Sequence, residues 1–334
     1  MFFKCKNCGG NVIYSPEKHG MYCPFCESEK SGERTEGDNR GELTICPNCG
    51  GEVKVEAHTS ATQCPYCDSY LIFNERVEGA YEPKLIIPFQ LGREVCKKSI
   101  REKFKRSLFA PTDFLSEARL NSMKGIYVPF WFYDYDTNCV FKGEGTYVRS
   151  WRSGDKEYTE TSYYAVNRNL DIRFENIPAD ASVEMPDEVM DLVAPFQYGQ
   201  MESFTPEYMS GFYAEKYNMP AEMIEERAKT RMNEDALRLM KESYAGYRSM
   251  RVIQQDVNVK GRRVRYGLLP IWRYIYRYKD RDYAFYVNGQ TGKIVGEAPL
   301  SQKKMWIYTG TLWGCLTLTL LLIFRLLNLC TSML

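Results

Sequence analysis

CKNCGGNVIYSPEKHGMYCPFC at residues 5–26 and CPNCGGEVKVEAHTSATQCPYC at residues 46–67 are two versions of one pattern. Each is C-x2-C-x14-C-x2-C, and adding 41 to Cys5, Cys8, Cys23 and Cys26 gives Cys46, Cys49, Cys64 and Cys67. Two thiolates on each of two tight turns converge on one tetrahedral metal. The spacing predicts two zinc ribbons holding one Zn2+ each, with structural iron the alternative for the same thiolates. A redox pair would be one Cys-x-x-Cys motif, not four in matched pairs. Gly9-Gly10 and Gly50-Gly51 follow the first knuckle of each ribbon, where a turn must aim its amides back at sulfur. Four thiolates close the coordination sphere, so the metal is expected to be structural, with no open position for activating water.

The rest of the chain excludes several functional classes. Net charge is +1 over 334 residues, so no global field gathers nucleic acid or acidic lipid. The only histidines, His19 and His58, both fall inside the ribbons. No phosphate-binding GxxxxGK[ST] loop, HExxH or GxSxG occurs. The expectation is a protein without catalytic residues.

The N-terminal MFFKCKNCGG has no apolar core of a signal peptide. At the other end, Met305 to Phe324 read MWIYTGTLWGCLTLTLLLIF, without a charge and long enough to cross ~30 Å of hydrocarbon. Lys303-Lys304 precede this stretch, Trp306, Tyr308 and Trp313 lie in its first half, and Arg325 follows. Lysines with an aromatic belt mark the preceding side as cytoplasmic. The expectation is a tail anchor at 305–325 in the cytoplasmic membrane, with the N-terminal domains in a reducing cytosol that disfavours disulfides.

Between these ends the fold class reads as α+β. Ribbon 1 is placed at 1–30, a flexible polar linker at 31–43, ribbon 2 at 44–75 and the body at 85–300, with a short connector near 74–83. Within the body, Pro129-Phe-Trp131-Phe-Tyr133-Asp-Tyr135 echoes Pro270-Ile-Trp272-Arg-Tyr274-Ile-Tyr276 as P-x-W-x-Y-x-Y. Leu85–Gln90 (LIIPFQ) more loosely echoes Leu192–Gln197 (LVAPFQ), so the body is expected to be a duplicated module of about 105 residues per copy. Period-2 alternation places the aromatic stripes on strands, as core far sooner than as a stacking platform. Hairpin turns are expected at Asp280-Arg281 and after Asn288-Gly289. Helices are expected near 93–108 and 220–243, with Ile224, Ala228, Leu239 and Met240 as the second one's apolar stripe. The first carries a basic face, read as solvated in preference to lying on lipid. Cys96, Cys139, Cys315 and Cys330 read as small apolar residues.

The twin ribbons resemble the TFIIB-type zinc ribbons of bacterial membrane proteins, as do Gly125–Trp131 (GIYVPFW), Val287–Gly296 (VNGQTGKIVG) and the anchor. The first knuckle, Cys5-Lys-Asn-Cys8, lacks the usual proline. Members are similar to a protein encoded beside relatives of phage-shock protein A and an SPFH (flotillin-like) protein. The resemblance implies a role in placing such a protein at the membrane during envelope stress. Some relatives carry helicase-like names through the ribbons of the primosomal helicase, but no helicase motor is present here.

Charge decides between the partners a ribbon can take. Residues 1–75 hold seven Lys/Arg and eleven Asp/Glu. Eight thiolates with two dications add about four more negative charges, and a surface near −8 repels phosphate. The expectation is therefore an adaptor whose two ribbons project from the body and recruit a protein through Phe25 and Tyr66. The alternative is a membrane-tethered nucleic-acid-binding factor.

Overall fold

The computed structural model describes residues 1–29, 32–36 and 43–332, with side chains to Arg325. Ribbon 1 consists of β1 (Phe2–Cys5), the hairpin β2 (Ile13–Ser15) and β3 (Gly20–Tyr22), and β4 (Gly32–Thr35). β4 lies in the stretch expected to be flexible linker, yet it pairs antiparallel along all of β1. Ladder bonds use backbone groups, so polar composition did not forbid a strand there. Residues 37–42 of that linker lie outside the described residues. Ribbon 2 pairs β5 (Leu43–Ile45) with β6 (Glu52–Lys54), and β7 (Thr59–Gln63) with β8 (Tyr70–Ile72). The connector that follows holds two 3₁₀ turns, pinned where buried Arg76 donates Nη1 to Glu56 O and Thr59 O at 2.8 and 2.7 Å.

The body begins with β9 (Leu85–Ile86), α1 (Arg93–Phe104) and α2 (Glu117–Leu120). Two long strands follow, β10 (Lys124–Ser153) and β11 (Lys156–Asp180), then α3 (Asp187–Val193), β12 (Glu202–Ser203) and β13 (Tyr213–Glu215). α4 (Ala221–Glu242), β14 (Ser249–Tyr278), β15 (Arg281–Asn288), β16 (Ile294–Val295) and α5 (Gln302–Ser332) complete it. β10 pairs antiparallel with β11 on one side and β14 on the other. These strands reach about 100 Å if fully extended. Their far ends, residues 147–164 of β10–β11 and 249–258 of β14, form a mostly exposed three-stranded arm.

The two P-x-W-x-Y-x-Y phrases sit on β10 and β14, adjacent antiparallel strands, with Trp131 opposite Tyr266 and Pro270 opposite Tyr127. Alternation therefore brings both aromatic stripes to one face of a single sheet. Tyr133, Tyr135, Trp272, Tyr274 and Tyr276 are buried there, as core. The opposite face carries Ile126, Val128, Phe130 and Phe132 against Met190 and Val193 of α3. The looser echo takes two different structures: Leu85–Ile86 is strand, whereas Leu192–Val193 ends α3. Both segments nonetheless reach one turn, where Gln90 N donates to Gly289 O at 3.0 Å and Gln197 N to Gln290 Oε1 at 2.8 Å. The β14–β15 hairpin turns at Lys279-Asp280, one residue before the expected position, and both have positive φ (49° and 59°), as a type I′ turn requires.

α4 lays Ile224, Ala228, Met232, Ala236 and Met240 on the sheet, while Leu239 is only half-buried. α1 buries Cys96, Ile100 and Phe104, and also Lys97, whose ammonium bonds Glu94 and Asn121 at 2.7 Å and also Glu117. Its apolar face therefore belongs to the core. Cys96 and Cys139 are fully buried, and burial pushes the Cys96 thiol up to about 12. Cys315 is exposed on α5, and Cys330 lies beyond the described side chains.

Asp180, at the end of β11, is buried beneath α4, where Arg227 Nη1 donates to its Oδ1 at 2.9 Å. Burial pushes its carboxyl up to about 6, with Arg227 opposing and Asp187 adding. The folded chain then binds the extra proton between pH 3.8 and about 6. Asp180's contribution to stability is full below that window and is lost as pH rises through it. The urea midpoint of the unmodified chain should fall across this window more steeply than that of Asp180→Asn. Parallel curves would remove this assignment.

The ribbons do not project. Met1, Phe3, Val12, Tyr14 and Cys23 share a core cluster with Ile100, Tyr127, Met209 and Phe212 of the body. Tyr14 N donates to Ser210 O at 2.7 Å, and Ser210 Oγ to Val12 O at 2.6 Å. In ribbon 2, β7 pairs with β13 and so joins the body's sheet. Phe2 packs in the ribbon 2 cluster with Val53, Leu71 and Phe73, so β1 serves both neighbours by alternation.

Candidate metal centre

Each ribbon sets its four cysteines on two Cys-x-x-Cys turns. The Sγ atoms of Cys5, Cys8, Cys23 and Cys26 lie within 4.8 Å of one another, as do those of Cys46, Cys49, Cys64 and Cys67. Cys5–Cys26 and Cys8–Cys23 are 3.6 and 3.5 Å apart, and Cys46–Cys67 and Cys49–Cys64 are 3.7 and 3.8 Å. Four sulfurs around one zinc at ~2.3 Å stand about 3.8 Å apart, whereas a disulfide needs about 2.05 Å. The two tetrads are therefore four-thiolate sites fitted to two zinc ions, one per ribbon. The pairing falls within each repeat, as the spacing predicts.

The turns supply the surrounding donors. Gly9 and Gly50 have φ of +72° and +74°, and their amides bond Cys5 O and Cys46 O at 2.8 Å. Gly10 and Gly51 are glycine for another reason. A Cβ there would stand 2.6 Å from Cδ2 of Phe25 and 2.5 Å from Cδ2 of Tyr66, because each ring leans over its glycine. Four further residues escaped the reading of the motif. Asn7 Nδ2 donates to Cys26 Sγ at 3.6 Å and Asn48 Nδ2 to Cys67 Sγ at 3.5 Å. Ser28 Oγ lies 3.0 Å from Cys26 Sγ, and Ser69 Oγ 3.2 Å from Cys67 Sγ. The offset of 41 that links the cysteines also links these pairs and would have found them. Ser28 heads the groups holding the Cys26 thiol below its ordinary value. Burial pushes the Cys67 thiol up, but Ser69 and Asn48 outweigh it and bring it to about 6. Such polarisation favours the thiolate that binds metal.

Phe25 and Tyr66 are 71% and 68% exposed, one at the same knuckle position of each ribbon. Asn11 Nδ2 reaches Cys67 O at 3.4 Å, tying one ribbon to the other. His19 borders a cleft of about 460 Å³ between ribbon 1 and the body, lined also by Tyr14, Gln90, Gln200, Glu202 and Tyr208. Burial pushes the Tyr14 phenol up to about 12, and Tyr208 donates to Glu202.

A family model describing a zinc ribbon domain matches residues 3–30, the whole of the first tetrad. Over 329 residues the chain is 35% identical to the uncharacterized protein YdjG of Bacillus subtilis (strain 168), covering 96% of each. The chain belongs to the YdjG family. No solved structure matches it. The likeness to YdjG runs through ribbons, body and α5 together. α5 itself carries a window, Gln302–Arg325, of mean hydropathy 1.7, long and apolar enough to cross a membrane and not covered by the body.

Proposed function

We propose that this protein is a non-catalytic, membrane-held adaptor whose zinc ribbons recruit a partner protein. α5 crosses the cytoplasmic membrane once, with Lys303, Lys304 and the aromatic residues of its first half on the cytosolic side. The observation that carries the reading is the pair Phe25 and Tyr66. Two large rings stay exposed at equivalent knuckle positions, on ribbons whose other faces are buried against the body. Because the ribbons are fixed to the body and to each other, the rings sit at a set spacing, which suits two-point capture of a protein. The acidic balance of residues 1–75 opposes nucleic acid. An SPFH-type or phage-shock-type protein at the same membrane is the first partner to test, on the strength of the family resemblance.

Phe25→Ala with Tyr66→Ala should lower capture of that partner from detergent-solubilised membranes by tenfold or more, as loss of two anchoring rings does. Zinc content should be unchanged, since neither ring is a ligand. Undiminished capture would remove the rings from the interface. Filter binding of the full chain to mixed DNA or RNA tests the rival. Micromolar binding at ~50 mM salt that collapses by ~200 mM would favour a nucleic-acid factor.

A further inference from the structure

The base of α5 is tied to the body at a second place. Ser301 N donates to Phe109 O at 2.7 Å, and Lys279 Nζ, in the β14–β15 turn, to Gln302 Oε1 at 3.1 Å. The Phe109 ring meets Tyr308 edge-on, with 5.5 Å between centroids. Tyr308 stands about 9 Å along the helix from Gln302, so the Leu108-Phe109 loop lies beside the first turns of the apolar helix. Leu108 is 58% exposed and Phe109 36%. Phe109 also borders a groove of about 460 Å³ along the Tyr308, Leu312, Trp313 and Cys315 side of α5.

Basic residues cluster around this apolar tip. Lys105 and Arg106 lead into it, Lys303 and Lys304 open α5, and Lys279 and Arg281 flank the turn that touches Gln302. Glu102, bonded to Lys105, and the exposed Asp280 offset only part of that charge. An apolar tip with a cationic surround, level with the start of a membrane helix, matches the layer where acyl chains meet headgroups.

We propose that this face is a second membrane contact. Leu108 and Phe109 enter the interfacial layer of an anionic phospholipid bilayer, the surrounding basic residues bind its headgroups, and the body is held at a fixed attitude above the surface. The inference rests on α5 spanning the membrane. Lipid is the occupant because the face is continuous with that helix and because its charge complements an anionic leaflet.

The test uses the full chain in nanodiscs, one set containing phosphatidylglycerol and the other phosphatidylcholine alone. A benzophenone-bearing phenylalanine replaces Leu108 in one preparation and Tyr163 in another. Tyr163 is 68% exposed and pairs with Thr146, which in turn lies opposite Ser249, at the far end of β14 from Tyr278. The expected result is lipid adducts at 108 in several-fold excess over 163, strongest with phosphatidylglycerol. Lys105→Glu with Arg106→Glu should cut the adduct at 108 by about threefold or more at unchanged incorporation. An incorporated chain that labels 108 no better than 163 overturns this contact alone. A chain that never enters the nanodisc and stays soluble overturns the single span and this contact together.

Discussion

Replacing Cys64 with Ser should lower the zinc content of the purified chain from two ions to one and loosen the body together with the second ribbon. Structural zinc contributes apparent folding energy on the order of 10–16 kcal/mol in isolated fingers, comparable to the whole stability of a domain, about 5–15 kcal/mol. In a separate module that energy would hold only the module. Here Cys64 packs with Phe2, Val53, Leu71 and Phe73, and Phe2 belongs to β1, whose next residue, Phe3, lies in the body's core. β7, which ends just before Cys64, pairs with β13, and β13 pairs with β10. Loss of the second zinc should therefore release amide protection at Ala61 and Ala214 and lower the melting temperature read from the body's aromatic near-ultraviolet signal by several degrees. The first site should keep its metal. One zinc lost with an unchanged melting curve and full protection at Ala214 would show ribbons that fold independently of the body.

How far this was legible follows from what each signal encodes. The tetrads were readable because metal geometry constrains spacing, and the twin copy repeated it at 41 residues. The aromatic stripes were readable as strands because alternation is local. Docking of the ribbons was not, because it depends on shape matching between distant surfaces. Met1-Phe2-Phe3 gave a faint signal, three apolar residues ahead of a zinc knuckle with no local core to enter, and they mark where ribbon meets body. The linker misled because a strand at the edge of ribbon 1 needs only backbone partners. The basic helix α1 misled by composition: Lys97, counted as part of a solvated face, is buried among Glu94, Glu117 and Asn121. The membrane-facing tip at Leu108-Phe109 lay just beyond that helix, and only the fold set it beside Tyr308.

Docking also changes which experiments are informative. Deleting residues 1–75 would strip Phe3, Tyr14 and β7 from the body and expose Ile100, Met209 and Phe212. Such a deletion would confound loss of a partner with loss of the fold, which is why Phe25 and Tyr66, exposed and outside the core, are the residues to change.

A chain ending at Ser301 should move from the membrane fraction to the soluble one. Burying the uncharged stretch of α5 as a helix is favoured through each Leu, Ile and Phe by roughly 0.3–0.6 kcal/mol at mid-membrane depth, and the helix closes all its own backbone bonds. Sodium carbonate or high salt should therefore not extract the full chain. The truncated chain loses that term and keeps its core, since the body covers none of α5's apolar window and meets its start only through Phe109 and Lys279. Ser301, itself buried and bonded to Phe109 O, stays to close the loop. What remains should be the weaker contact of the basic face. Screening within about 8–10 Å at physiological salt limits such contacts, so binding to anionic vesicles should be reversible and fade as salt rises. Fractionation with a two-zinc measurement on the soluble product checks this. Truncated chain that persists in carbonate-washed membranes would show that a second element inserts. Truncated chain that aggregates would show that α5 is part of the core and not a span.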